Sequence, residues 1–150
     1  MQNETIESIL KKVAGKEDGS YLVYKNASGR TKDAHTKTVL SKYADEELKH
    51  KQAIEDFNIK DIKNLEIKEI SRQGITEYLA DADEVLKEDS DFKDVLIYAA
   101  KREKRAYEFY HIMSDIVEDA DLKNLFIWLA REETRHKEDI EALFWEVMYR

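Results

Sequence analysis

The feature that most restricts this chain is an internal duplication. Placed along itself at an offset of 86 without gaps, the sequence aligns residues 4–57 with 90–143 and gives sixteen identities in fifty-four pairs, where roughly three would arise by chance. The matches include Glu17 with Glu103, Tyr21 with Tyr107, Tyr24 with Tyr110, Glu47 with Glu133 and His50 with His136. Within each copy the same thirty residues separate the first glutamate from the glutamate of a Glu-x-x-His. That short motif means little by itself in a charge-rich chain. A third instance, Glu108 to His111, aligns with Leu22 and Lys25 and so stands outside the repeat, whereas EELKH at 46–50 and EETRH at 132–136 correspond position for position.

Each copy reads as two helices. In the first, Ile6, Ile9, Leu10, Val13, Glu17, Tyr21 and Tyr24 recur at steps of three and four, the mark of one buried face. The equivalent stripe runs Phe92, Leu96, Ala99, Glu103, Tyr107, Tyr110, Met113 and Val117, and in both a glutamate interrupts the apolar run. A turn around Ser28-Gly29-Arg30, with Asp33 as N-cap, leads to Val39, Leu40, Tyr43, Glu47, His50, Ile54 and Phe57. The counterpart is Leu125, Phe126, Leu129, Glu133, His136, Ile140, Leu143 and Val147. The chain has no proline and only four glycines, a composition that suits long helices. Gly15 and Gly19 flank Glu17 and weaken the first helix by about 1 kcal/mol each relative to alanine.

The two copies are joined by residues 58–89. Short loops give an up-and-down bundle, but a connector of this length can return along the bundle before the third helix starts. Leu65 to Ile70 alternates and fits an extended segment against the side, Gln73-Gly74-Ile75 marks a break, and a short helix is expected over Ile75–Leu86. No linker-like or low-complexity tract separates the parts, so residues 1–150 are expected to form a single domain. The predicted fold is an all-α four-helix bundle made of two duplicated helical hairpins with a long crossover.

Six polar residues, Glu17, Glu47, His50, Glu103, Glu133 and His136, thus point into the bundle. Burying one unpaired carboxylate is strongly unfavourable, and burying four together adds mutual repulsion. The stripes offer no Lys or Arg as partner. Two divalent cations match the charge of four glutamates, and two neutral imidazoles complete the shell. Residues i and i+3 share a helix face, so each Glu-x-x-His can give both side chains to one site. An oxygen-rich set with one imidazole per metal suits iron or manganese better than tetrahedral zinc.

Other features narrow the function by exclusion. With no cysteine the chain has no disulfide, thiolate metal site or cysteine nucleophile. A net charge of −8 disfavours nucleic acid and anionic membranes. No apolar run approaches the roughly 20 residues of a membrane span, and MQNETIESIL shows neither a basic n-region nor an apolar h-region, so a cytoplasmic location is expected. His111 lies about 80° around its helix from Glu103, which places it at the boundary or surface. His35, before the second helix, is expected at the surface. The runs EDAD and KREKR read as solvated faces and caps.

One glutamate from each of two helices, plus a Glu-x-x-His from each of two others, is the ligand set of ferritin-like di-metal carboxylate proteins. The chain resembles that superfamily, and within it the rubrerythrin-like group, over nearly its whole length. The residues that carry the resemblance are EKRAYEFY at 103–110 and LAREETRH at 129–136, with EDGSYLVY at 17–24 and YADEELKH at 43–50. It implies that Glu17 and Glu103 are terminal ligands, Glu47 and Glu133 bridging ligands and His50 and His136 nitrogen ligands. Tyr24 and Tyr110 would hydrogen-bond behind them. It further implies two iron ions, or manganese or a mixed Mn/Fe pair, and an oxidoreductase that reduces hydrogen peroxide or dioxygen. The alternative is a protein that binds or oxidises ferrous iron without peroxidase turnover. Rubrerythrins proper carry a four-cysteine rubredoxin domain, and this chain has no cysteine, so an external electron-donor protein is implied. They also carry a further glutamate where this chain has Ala106. A homodimer is the expected assembly.

Overall fold

The computed structural model describes residues 4–67, 75–80 and 90–149. Helices α1 (Ile6–Gly29) and α2 (Ala34–Asp56) form one hairpin, and α4 (Phe92–Ile116) and α5 (Ala120–Met148) form the other. Packing is most extensive within each hairpin, while α1 against α4 and α2 against α5 close the four-helix bundle. The short helix α3 (Ile75–Ala80) lies against α1 and α4.

All four long helices start the same way, which shows the duplication at the level of single hydrogen bonds. Thr5, Asp33, Asp91 and Asp119 are the N-caps, and their side chains accept from the backbone N–H of Ser8, Thr36, Asp94 and Leu122 at 3.1, 2.9, 2.8 and 2.9 Å. Each bond satisfies a donor that the helix leaves without a partner. Asp33 is therefore the cap that the sequence suggested. Ser28 and Gly29 prove to be the last residues of α1, and the reversal begins at Arg30. Helix α1 runs unbroken through Gly15 and Gly19.

The connector supports the start of the bundle. Strand β2 (Glu66–Ile67) pairs antiparallel with β1 (Glu4–Thr5), in register Glu4 with Ile67. Just before it, the carbonyls of Leu65 and Lys63 accept from the N–H groups of Ile6 and Glu7, at 2.9 and 3.1 Å. Part of the expected extended segment is thus observed, and Lys68–Ile70 lie outside the described residues. The expected break at Gln73-Gly74 lies outside them as well. Of the helix expected over Ile75–Leu86, α3 accounts for Ile75–Ala80, and residues 81–86 fall beyond the described part. Helix α3 buries Ile75 and Leu79 and stacks Tyr78 on Phe109 with ring centroids 4.4 Å apart.

The apolar core comes in two blocks. One gathers Ile9, Leu10, Val13, Phe109, Met113, Phe126 and Leu129 with α3, and the other gathers Tyr24, Leu40, Tyr43, Val95, Leu96, Ile140 and Leu143. Complete burial of a side chain such as Leu96 or Ile140 contributes roughly 1.5–3 kcal/mol. Between the blocks lie Glu17, Glu47, His50, Glu103, Glu133 and His136, each no more than 2% exposed.

Candidate metal centre

The helix faces bring all six inward polar residues together. Their oxygen and ring-nitrogen atoms make two groups, Glu17, Glu47, His50 and Glu133, and Glu47, Glu103, Glu133 and His136. Within each group one atom per residue lies within 4.8 Å of the others. Glu47 and Glu133 belong to both groups. Each group has one further glutamate and one histidine of its own. This is a pair of adjacent glutamate/histidine sites able to bind metal.

Each of the remaining four side chains is held by one polar atom and presents another inward. Tyr24 Oη donates to Glu103 Oε1 at 2.6 Å, and Tyr110 Oη donates to Glu17 Oε1 at 2.5 Å. Both bonds cross between the repeats, so each tyrosine serves the glutamate of the other hairpin. Glu17 Oε2 and Glu103 Oε2 stay buried without a hydrogen-bond partner. The imidazoles follow the same rule. His136 Nε2 contacts Glu46 Oε2, and His50 Nε2 lies 3.5 Å from Glu132 Oε1. Their Nδ1 atoms face the centre, 2.8 Å from Glu47 Oε1 and Glu133 Oε1 respectively.

Glu47 Oε2, His50 Nδ1 and both oxygens of Glu133 also lack hydrogen-bond partners. A buried polar atom left unsatisfied costs roughly 1–3 kcal/mol, so a concentration of them in one place needs a reason. All six such atoms among the described residues belong to the two groups. Metal ions fit this donor set: the free atoms converge, they are mostly carboxylate oxygens, and no Lys or Arg among the described residues pairs with them. Arg135 stays outside, with Nη2 3.0 Å from Glu46 Oε2 and 3.4 Å from Glu132 Oε2.

Without metal, crowding of charge divides the carboxyls into two kinds. Burial, then the charges of Glu103 and Glu17, push Glu47 well above the ordinary carboxylate range, and Glu133 is raised by burial and the same neighbours. Burial also opposes ionisation of Glu103, but contacts with Glu133 and His136 and the Tyr24 hydrogen bond outweigh it and hold the group at about 2. Glu17 is lowered in the same sense, by Glu47, His50 and Tyr110 against burial. Burial disfavours a charged His50, yet Glu133 and Glu17 raise it to about 11. Tyr24 and Tyr110 are pushed well above their usual range, by burial first and then by the charge of Glu103 and of Glu17, so both remain neutral donors.

The other two histidines stay apart. His111 is exposed and stacks on Tyr107, and His35 is exposed at the start of α2. What the stripe pattern does not reveal is the pair Glu46 and Glu132, which hold the imidazoles from outside. The signal was there, since both are identities of the repeat and each precedes a candidate ligand glutamate. A stripe finds what faces inward, and these two sit a hundred degrees around the helix from Glu47 and Glu133.

A four-helix bundle with a buried carboxylate and imidazole cluster at its waist defines the ferritin-like class of metal-carboxylate folds. Residues 8–144 match the rubrerythrin family, and the chain belongs to it. Among solved structures, a candidate ferritin-like diiron-carboxylate protein of Thermotoga maritima is similar in fold, with a TM-score of 0.70, 17% identity and coverage of 98% of this chain and 99% of that one. A hypothetical protein from Pyrococcus furiosus gives 0.66 at 20% identity, covering 93% of this chain and 88% of its own. A search among curated proteins finds no significant match. Among the described residues no helix is long and apolar enough to cross a membrane.

Proposed function

We propose that this chain is a non-haem di-iron oxidoreductase that reduces hydrogen peroxide or dioxygen with electrons from an external donor. The observation that carries the reading is the sharing of Glu47 and Glu133 between two otherwise separate glutamate/histidine groups. Glu47 and Glu133 would bridge the ions, Glu17 and His50 would hold one, and Glu103 and His136 the other. A pair of iron ions supplies two electrons at once, the number that converts one peroxide to two waters. Manganese in one or both positions is compatible with the same donors.

The protein's own part is to hold the ligands still and keep the chamber dry. Tyr24 and Tyr110 fix one oxygen of each terminal glutamate, which leaves Oε2 aimed inward. Glu46 holds Nε2 of His136 and Glu132 lies 3.5 Å from Nε2 of His50, which turns Nδ1 of each ring toward the centre. The apolar blocks on either side exclude bulk water. Binding metal requires that the protons held by Glu47, Glu133 and His50 leave, so loading and proton release are coupled.

Ferrous-iron handling stays in contention because of Ala106. This residue is buried one turn after Glu103, and Ser20 occupies the matching place after Glu17, so the proposed shell would be a symmetric set of four glutamates and two histidines. A symmetric shell offers no reason to refuse dioxygen. Mixing the reduced, iron-loaded protein with equal concentrations of either oxidant, and following near-ultraviolet absorbance of the ferric form, separates the two functions. The expected result is reaction with both and faster reaction with peroxide. Slower reaction with peroxide than with dioxygen, together with continued consumption of ferrous iron beyond two ions per chain, would establish iron handling instead.

A further inference from the structure

The centre is symmetric at its ligands and asymmetric just outside them. Trp128 stands edge-on to His50, with ring centroids 5.3 Å apart and planes at 83°. Trp128 is 40% exposed, whereas His50 is 1% exposed and turns its Nδ1 toward Glu17, Glu47 and Glu133. One aromatic side chain therefore spans the distance between solvent and a candidate metal ligand. His136 has a different setting: its ring neighbours among the described residues are Tyr24, Tyr43 and His50, none more than 5% exposed. At the place equivalent to Trp128 the first repeat has Lys42. The two imidazoles stack with centroids 5.4 Å apart and planes at 24°, so ring contact continues from Trp128 through His50 to His136.

We propose that Trp128 is the electron entry point of the centre: a one-electron carrier protein meets its exposed edge, and electrons pass through the indole and the His50 imidazole to the metals. The proposal rests on the oxidoreductase reading above. Each transfer oxidises one carrier by one electron. Two transfers, with two protons from solvent, balance the reduction of one hydrogen peroxide to two waters. The carrier is a separate redox group because the chain, having no cysteine, contains no thiolate-bound iron of its own. Trp128 touches neither oxidant nor metal, so it conducts through His50 and its replacement should spare the oxidation step.

The chain has two tryptophans, and Trp145 lies nine residues, or about two and a half turns, beyond His136 on α5. In the Trp145→Phe protein the emission therefore reports on Trp128 alone. Iodide should quench it, and loading with ferric iron should quench it several-fold more than loading with zinc, which accepts no electron. In the Trp128→Phe protein, the remaining Trp145 emission should distinguish the two metals far less. The kinetic arm uses Trp128→Leu, which removes the ring contact. This variant should bind both irons, melt as the parent does and, once reduced, be oxidised by peroxide at the parent rate. Its re-reduction by a low-potential ferrous c-type cytochrome should slow by about tenfold or more, and Trp128→Phe, which keeps a ring against His50, should recover most of that loss. Unchanged re-reduction of the leucine variant overturns the inference, as does shielding of Trp128 from iodide. Loss of metal from the leucine variant also overturns it, by showing that the indole merely props His50. A native protein that fails to bind iron, or whose reduced form ignores both oxidants, refutes the parent reading instead.

Discussion

Tyr24 belongs to the first repeat and Glu103 to the second, and the phenol of one donates a 2.6 Å hydrogen bond to the carboxylate of the other. Tyr110 does the same for Glu17 in the opposite direction. Replacing Tyr24 by Phe keeps the packing and removes the donor. A hydrogen bond to a charged group is worth roughly 1.5–3 kcal/mol, and that much of the preference for an ionised Glu103 should be lost. The group, now at about 2, should titrate higher, and metal affinity should fall roughly 10–100-fold. Calorimetric metal titration of the native and Y24F proteins tests this, and equal affinities would show that the bond does not orient the ligand.

The shared pair makes a sharper prediction about stoichiometry. Glu133→Ala or Glu47→Ala should lose both metals, since each residue belongs to both groups. His50→Ala should weaken one site more than the other. His111→Ala should change nothing, because that ring is exposed and lies away from the centre. Elemental analysis of the purified variants gives the counts. Two metals retained by Glu133→Ala would mean that the bridge is misassigned.

The metal-free protein should be most stable in mild acid. Glu47 and Glu133 are raised in the fold, so their stabilising contribution is present below the ordinary carboxylate value of 4.5 and is lost as pH rises through the folded value. His50 acts in the same direction, with its contribution complete below 6.5 and lost as pH climbs through about 11. Glu103 and Glu17 work the other way, and their contribution disappears only as pH falls toward the depressed values, about 2 for Glu103. The melting temperature of the apo form should therefore fall as pH rises from above 4.5 through about 11. Metal binds only the assembled site, and at a hundred times its dissociation constant it should add about 2.7 kcal/mol. An apo protein that becomes more stable as pH rises over the same range would contradict the buried cluster.

Glu46 provides a test of how the imidazoles are aimed. Glu46→Ala removes the carboxylate at His136 Nε2 and one partner of Arg135. Metal affinity should drop roughly 10–100-fold while the fold stays intact. Circular dichroism read alongside metal titration separates loss of affinity from loss of structure.

Gly15 offers a change that should help. It sits in the interior of α1, and a Cβ added there meets nothing within 4 Å. Gly15→Ala should raise stability by roughly 0.5–1 kcal/mol, read as a higher urea midpoint with an unchanged slope. A lower midpoint would mean that the helix needs the glycine for a reason other than space.

The parts that were legible in the sequence are those written twice or written with a period. The stripes of α1, α2, α4 and α5, the Asp33 cap and the six inward polar residues follow from spacing, because a helix converts spacing into direction. The crossing of Tyr24 to Glu103 was not legible. Each tyrosine follows a glutamate of its own helix by seven residues, and only the antiparallel approach of α1 and α4 makes the distant glutamate the partner. Glu46, Glu132 and Trp128 escaped for a related reason: they lie off the inward stripe, and their meaning comes from a neighbouring helix. In the connector, the pairing of Glu66–Ile67 with Glu4–Thr5 depends on a contact more than sixty residues away, which no local pattern encodes.

The cross-repeat bonds have a consequence for the molecule's ancestry. Neither hairpin holds a complete group: Glu17, Glu47 and His50 come from one, and the Glu133 that completes them comes from the other. Two identical hairpins meeting face to face would recreate the tyrosine bonds, the shared glutamates and the outer carboxylates. The present chain thus has the form of a dimer whose subunits have been spliced into one polypeptide. In a single chain the two halves can differ where the halves of a true dimer could not. A symmetric pair would be obliged to place the same residue twice, but here Arg135 faces both outer carboxylates while its counterpart is Lys49, and the indole at 128 is matched by a lysine. The duplicated glutamates and histidines keep a twofold arrangement, and the residues around them show how far the two halves differ.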